Sequence, residues 1–243
     1  MAIVLFTDFG SRDPYVGQVK AALESEAPGT PVIDLLNDVP DFTVRAAAHL
    51  LASLVPQFAQ GTVFFAVVDP GVGSARLPLA VAAAGYRFVG PDNGLLSVFT
   101  ARSRDARISR IAWAPERLSA SFHGRDLFAP VAARLAAGCV PQGWLVPLAA
   151  LSVDFGAGDL GELIYIDHYG NAMTGLRAGD VPRDARLVVA GRRLAYARVF
   201  AEAAPGTPFW YDNSQGLVEI AMSRGSAARE LGLEVGTPVA WAA

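Results

Sequence analysis

Two continuous apolar runs, Ala2 to Thr7 and Thr62 to Val68, constrain this chain more than any other feature. Runs without polar alternation suit strands that are buried on both faces, as in a parallel sheet covered by helices. Between them, Asp13 and Pro14 make an N-cap and N1 pair that predicts a helix over Tyr15 to Glu26, stopped by Pro28-Gly29. Pro31 to Leu35 reads as a second strand and Thr43 to Leu54 as a second helix. Strand, helix, strand, helix, strand is the order of an α/β domain with a Rossmann-like parallel sheet. Such sheets bind ligands beyond the carboxyl ends of their strands, and Asp8 and Asp69 each stand directly after one.

Beyond Asp154 the texture changes. Short strand-like runs at Leu163 to Ile166, Ala185 to Ala190, Leu194 to Phe200, Leu217 to Met222 and Pro238 to Trp241 are separated by turn residues. Only Ser226 to Leu231, closed by Gly232, reads as helix there. The expected organisation is an α/β domain over 1–154, a linker over 155–160 and a small all-β barrel over 161–243.

With 52% hydrophobic and 18% charged residues, a packed core is expected. A formal net charge of −3 argues against a nucleic-acid partner, which needs a basic face. The single cysteine, Cys139, cannot pair internally and is expected to be a small buried hydrophobe. Ala46 to Val68 is long and uncharged, but Pro56, Gln57, Gln60 and Gly61 break it into helix, turn and strand. Met1 to Phe6 runs into Asp8 without a basic leader, so no signal peptide is predicted and the expected location is the cytoplasm.

Val68-Asp-Pro-Gly-Val-Gly-Ser-Ala-Arg76 is the densest chemical signal. Gly71 and Gly73 follow a strand, yet the third glycine of a dinucleotide fingerprint is missing and Leu79 to Ala83 looks like another strand. Two readings stay open: a salt bridge that fastens a loop, or a glycine turn that aims Asp69 and Arg76 into one pocket. His123 lies on the polar approach Ser121-Phe-His-Gly-Arg-Asp126 to a helix starting near Leu127, which favours an exposed or site role. His49, inside an Ala/Leu helix, reads as packed or half-buried. The three histidines lack metal-ligand spacing, so no metal is expected. Gly90-Pro-Asp-Asn-Gly-Leu-Leu96 is turn chemistry running into a short helix. Ile166-Asp-His-Tyr-Gly-Asn171 and Tyr211-Asp-Asn-Ser-Gln-Gly216 are hairpin turns or, taken together at strand ends, a polar ligand site.

Six segments taken in order resemble one family. They are Phe6-Thr-Asp-Phe-Gly10, Val68-Asp-Pro-Gly-Val-Gly73, Gly90-Pro-Asp-Asn-Gly-Leu-Leu96, Phe122-His-Gly-Arg-Asp126, Ile166-Asp-His-Tyr-Gly-Asn171 and Asn213-Ser214. Together they are similar to the S-adenosylmethionine (SAM) hydroxide adenosyltransferases, or SAM hydrolases, relatives of fluorinase and chlorinase. The resemblance implies an N-terminal α/β domain, a C-terminal β-barrel and a homotrimer with sites between subunits. It also implies hydrolysis of SAM to adenosine and L-methionine, with SAM as substrate and no cofactor or membrane partner. Asp69, Arg76 and His123 match the family's catalytic set. Fluorinases carry tyrosines where Asp69 and His123 stand, and a loop insertion between the regions of Arg76 and Pro91 that is missing here. By the same resemblance Asp8 binds the ribose hydroxyls and Asn171 the adenine edge, with Phe200 stacking. Asp167 and Ser214 hold the methionine ammonium and carboxylate, and Tyr169 completes the substrate-binding set. A SAM-dependent 5′-halogenase and a non-catalytic SAM- or adenosine-binding module are the alternatives.

Overall fold

The first apolar run forms β1 (Ile3–Thr7), every residue of which is buried. α1 (Pro14–Glu26), β2 (Val32–Leu36), α2 (Val44–Leu54) and β3 (Val63–Val67) follow in the expected order, in a computed structural model that describes residues 1–242. Asp13 sits at the N-cap of α1 with extended backbone, but its side chain does not cap the helix. The chain divides into two units, Met1–Ala52 with Phe58–Ala157 and Ser53–Gln57 with Gly158–Ala243.

The first unit continues with β4 (Pro78–Ala83), β5 (Tyr86–Pro91), α3 (Ser97–Arg102), β6 (Arg107–Ile111), α4 (Ala129–Ala137) and β7 (Leu145–Leu148). Its sheet has seven strands in the order β2-β1-β3-β5-β4-β6-β7. The expected all-parallel sheet is corrected to a mixed one. β2, β1, β3 and β5 run parallel, whereas β4, β6 and β7 pair antiparallel. The cause is a two-residue hairpin, Ala84-Gly85, with φ of 49° and 81°. Positive φ at both central positions defines the type I′ geometry that matches strand twist, and it turns β4 straight back into β5.

β3 alternates its contacts. Val63, Phe65 and Val67 join the cluster built with Val19 and Leu23 of α1 and Val131, Ala132 and Ala133 of α4. Phe64 points the other way, stacking on Phe88 at 5.2 Å, and Phe88 meets Phe99 of α3 at 5.1 Å. Helices therefore cover both faces, which is why β3 carries no polar alternation. β1 lies between β2 and β3, so successive connections leave it in opposite directions. That makes the carboxyl ends of β1 and β3 a topological switch point, where a cleft opens.

The second unit contains β8 (Leu160–Ile166), β9 (Ala172–Arg177), β10 (Leu187–Val189), β11 (Arg192–Leu194), β12 (Pro208–Asp212), β13 (Leu217–Met222), α5 (Ala227–Leu231) and β14 (Val239–Trp241). The expected barrel is corrected to two antiparallel sheets, β12-β13-β9-β8 and β11-β10-β14. Their edges are joined by isolated bridges at Glu162–Pro238 and Tyr196–Trp210, and no ladder closes into a ring among the described residues. Both sheets cover one core around Leu163, Trp210, Val218 and Ile220. The strand expected over Leu194 to Phe200 is corrected: β11 ends at Leu194, Tyr196 makes only an isolated bridge to Trp210, and Phe200 opens a 3₁₀ turn. Ser226 caps α5 by accepting from Arg229 N–H, and Gly232 closes it in the left-handed region.

His49 is 4% exposed, as a packed histidine should be. Cys139 is corrected to an exposed thiol, since Gly138 at φ 69° ends α4 and turns the next residue outward. Among the described residues no helix is long and apolar enough to cross a membrane.

Gly90 shows how tightly the sheet is set behind the site. A Cβ there would lie 2.2 Å from the Ala66 carbonyl, three residues before Asp69. Gly90→Ala is expected to cost on the order of 2–3 kcal/mol, because backbone atoms cannot swing aside. Urea unfolding measures this, and wild-type stability would contradict it.

Candidate active site

Asp8 and Asp69 extend from neighbouring parallel strands whose last residues, Thr7 and Val67, are in register. The main chain then turns sharply after Asp69: Val72 N–H donates to Asp69 O at 3.2 Å and Ser74 N–H to Gly71 O at 3.0 Å. Gly73 has φ 81°, and a Cβ there would be 2.7 Å from the Ala120 carbonyl. Only glycine allows this turn to press against the segment that leads to His123. Gly90-Pro-Asp-Asn-Gly94 supports the same corner from the adjacent strand: Asn93 Nδ2 donates to Val68 O at 2.8 Å. Buried Asp92 accepts from Ser152 N–H at 3.0 Å and from its hydroxyl at 2.6 Å.

Arg76 comes back across this turn. Its Nε donates to Asp69 Oδ1 at 2.9 Å and its Nη2 to Asp69 Oδ2, a bidentate pair with side chains only 8% and 5% exposed. The same Nη2 lies 3.1 Å from His123 Nδ1, and the guanidinium sits 5.4 Å from the Phe128 ring centroid. Of the two open readings the salt bridge is present; Asp69 also lines a cleft, whereas Arg76 is not among its walls.

His123 precedes a π turn over Gly124–Phe128, in which Ala129 N–H reaches back to Gly124 O. Such turns are rare and are frequently found at functional sites. Phe122 is held edge-on by Phe9 at 5.7 Å and Tyr15 at 5.4 Å. Gly124 lets the Phe9 ring approach, since a Cβ would be 2.7 Å from it. Burial, then the Arg76 charge, hold the His123 imidazole below its usual range. A guanidinium has only donors, so the neutral ring accepts at Nδ1 and carries its proton on Nε2.

In front of Asp69 lies a cleft of about 690 Å³, lined also by Asp8, Asp13, Tyr15, Asp41 and Arg125. That volume suits a drug-sized ligand. Asp13, Asp41, Tyr15, Ser119, Ser121 and Arg125 were not singled out as site residues by the sequence; Tyr15 is in the first turn of α1, Arg125 is in the π turn, and the others are on connecting segments whose approach depends on the fold. Arg125 is engaged by Asp126 at 2.6 Å and Gln18 at 2.9 Å, so the carboxylates at the mouth dominate. Burial, with Asp69 and Asp41 nearby, pushes Asp8 up to about 6.

In the second unit the structure brings Asp167, Tyr169, Asn171 and Phe200 together around a cavity of about 520 Å³, with Tyr211 and Met222. Asp167 Oδ1 accepts from the N–H groups of Tyr169 and Asn171, each at 2.9 Å, and Oδ2 accepts from Asn171 Nδ2 at 2.9 Å. Ser214 is exposed on the turn after β12, outside the walls of this cavity. Tyr211 was visible in sequence only as part of a turn.

An α/β unit with a partly buried Asp–Arg–His constellation at its switch point, beside an acidic cleft, defines an enzyme-like site for a small cationic or polyhydroxylated ligand. Residues 3–143 match the SAM hydroxide adenosyltransferase N-terminal domain and residues 161–240 its C-terminal domain, so the chain belongs to that family. It is 41% identical to an (R)-S-adenosyl-L-methionine hydrolase of Thermus thermophilus over 98% of both chains. A protein of the same description from Salinispora arenicola is 39% identical over 95% of this chain and 93% of its own. A fluorinase of Actinoplanes is more distant, 24% identical over 98% of this chain and 96% of its own. An uncharacterised conserved protein of Thermotoga maritima superposes with a TM-score of 0.90 at 30% identity, covering 99% of this chain and 100% of that one.

The raised Asp8 gives a signed prediction. Unfolded, its carboxyl ionises near 3.8; folded, near 6. Its contribution to stability is therefore full below about pH 4 and is lost as pH rises through about 6. Asp8→Asn is expected to gain on the order of 1 kcal/mol at pH 8, after discounting for solvent screening, and nothing at pH 4. Melting curves at the two pH values test this; a variant less stable at pH 8 than at pH 4, relative to wild type, would contradict it.

Proposed function

We propose that this chain hydrolyses S-adenosylmethionine at ribose C5′, giving adenosine and L-methionine, with Asp69, Arg76 and His123 as the catalytic set. The observation that carries the reading is the chain of contacts from Asp69, which lines the cleft, through Arg76 to His123. Full-length similarity to named SAM hydrolases supports it.

A sulfonium on C5′ leaves as a neutral thioether, so the leaving group is already activated and the missing component is a nucleophile. Water attacks C5′ in line, the C5′–S bond breaks with its electron pair going to sulfur, and the attacking oxygen loses a proton. Arg76 neutralises Asp69, so oxygen that gains negative charge there is not repelled. His123 Nδ1 is occupied by Arg76 and Nε2 carries the ring proton, so His123 acts as a donor that orients the water. Asp69 keeps free lone pairs after the bidentate contact and takes the proton. The reaction uses no cofactor.

Asp8 accepts from the ribose hydroxyls. Asn171 has its Nδ2 committed to Asp167, which leaves Oδ1 to accept from the exocyclic amine of adenine, with Phe200 and Tyr169 as flanking rings. Asp167 and Ser214 take the methionine ammonium and carboxylate. The motif resemblance also supports a cytoplasmic homotrimer with sites between subunits. Sedimentation at a monomer mass would contradict the assembly.

Two features oppose a halogenase reading. Asp8 and Asp41 line the cleft, and an incoming halide meets their carboxylates as like charges. The curated relatives named above as hydrolases share more identity than the fluorinase. Their names specify the R configuration at sulfur, and we extend this to the present chain. With SAM of mixed sulfur configuration, the R epimer is expected to disappear while the S epimer persists; equal loss of both would contradict this selectivity.

Asp69→Asn keeps the shape and is expected to lower turnover roughly 10²- to 10⁴-fold while adenosine binding stays measurable. His123→Ala should cost less, because it removes a donor and not the proton acceptor. Wild-type turnover in Asp69→Asn, or a larger loss in His123→Ala, would sink the assignment.

A further inference from the structure

Glu219 is the most deeply placed acid of the second unit, 2% exposed in the middle of β13. It pairs across the sheet with Tyr211 of β12 and Met173 of β9. Its Oε1 accepts from the Tyr211 hydroxyl at 2.9 Å and its Oε2 from Asn213 Nδ2 at 2.6 Å. Among the described residues no Lys, Arg or His pairs with it. A buried carboxylate served only by neutral donors is expensive, and an apolar residue of similar volume in its place is commonly neutral or stabilising. Stability alone therefore does not account for a glutamate here.

One donor leads to the cavity and the other to the turn that carries Ser214. Tyr211 lines the cavity with Asp167, Asn171 and Phe200, and its ring meets Phe200 edge-on at 5.5 Å. Asn213 fixes the turn that carries Ser214: its Oδ1 accepts from Gln215 N–H at 3.0 Å and Leu217 N–H at 2.9 Å. With its carbonyl spent on that turn, Asn213 has its amide held by Glu219. Burial pushes both the Glu219 carboxyl and the Tyr211 phenol upward, the Glu219 charge adds to the rise at Tyr211, and the Asp167 charge adds a smaller push to each.

We propose that Glu219 is a positioning residue for substrate binding: its carboxylate orients the Tyr211 hydroxyl at the cavity wall and, through Asn213, the turn that presents Ser214. This inference rests on the SAM hydrolysis reading. It predicts a role in affinity and none in bond cleavage, because Asp69, Arg76 and His123 belong to the other unit.

Steady-state kinetics of two variants test it, alongside melting curves. Glu219→Leu removes both acceptors while keeping volume, and KM for SAM is expected to rise about tenfold or more with kcat within about twofold. Glu219→Gln retains one carbonyl to accept from Asn213 and gains an amide that can donate to the Tyr211 oxygen. It is expected to recover most of the lost affinity. A merely structural role would lower the melting temperature of Glu219→Leu and leave KM unchanged, and that result overturns the proposal. So does Glu219→Gln as impaired in KM as Glu219→Leu. Should Glu219→Leu not fold, Tyr211→Phe carries the test: a KM equal to wild type overturns the proposal, and a several-fold rise supports it. If the wild-type chain releases no adenosine from SAM, the hydrolysis reading fails. Calorimetric titration of the same variants with adenosine then decides Glu219 separately, unchanged affinity counting against it.

Discussion

The bidentate contact between Asp69 and Arg76 is the interaction around which the first unit is arranged. A carboxylate with a side chain 5% exposed cannot stay ionised without a partner, and the guanidinium that serves it is nearly as hidden. Holding that partner requires the chain to double back within seven residues, which requires Gly73, and Gly73 in turn lets the turn touch the segment bearing His123. The third contact of Arg76 then fixes the imidazole's tautomer. A single ion pair thus sets the path of one loop, the approach of another and the proton inventory of the site.

Charge explains how the remaining cleft differs from this centre. Asp69 is compensated, whereas Asp8 and Asp41 face the same space and form no ion pair among the described residues. Burial next to those acids raises Asp8, which stores a cost that a cationic or hydroxyl-rich ligand relieves. The second unit shows the same habit at buried Glu219 and half-buried Asp167, carboxylates satisfied by neutral donors, with Asp167 at the wall of a cavity. In both units the acids least expected on grounds of stability are the ones beside space for a ligand.

Much of this was legible in sequence because parallel strands buried on both faces leave an unmistakable record. β1 and β3 are uninterrupted apolar runs, and the acids that follow them had to emerge at strand ends. Where the fold departs from that expectation, the signal was weak for a physical reason. Ala84-Gly85 and Ala190-Gly191 turn hairpins with positive φ at an alanine, without the Asn or Asp that normally announces such a turn. β6 and β7 alternate little, and β7 carries a proline that only an edge strand tolerates. At the site, the pairing of Asp69 with Arg76 was foreseeable, but its depth, the neutral state of His123 and the buttress from Asn93 were not. Those depend on contacts between residues 25 to 47 positions apart.

Water labelled with heavy oxygen tests the central claim most directly. A single turnover of SAM in that solvent is predicted to place the label on the 5′ oxygen of adenosine, with unlabelled L-methionine released, and to do so in wild type but not in Asp69→Asn. Adenosine without the label, or a 5′-haloadenosine in its place when chloride or fluoride is added, would contradict a site built to activate water.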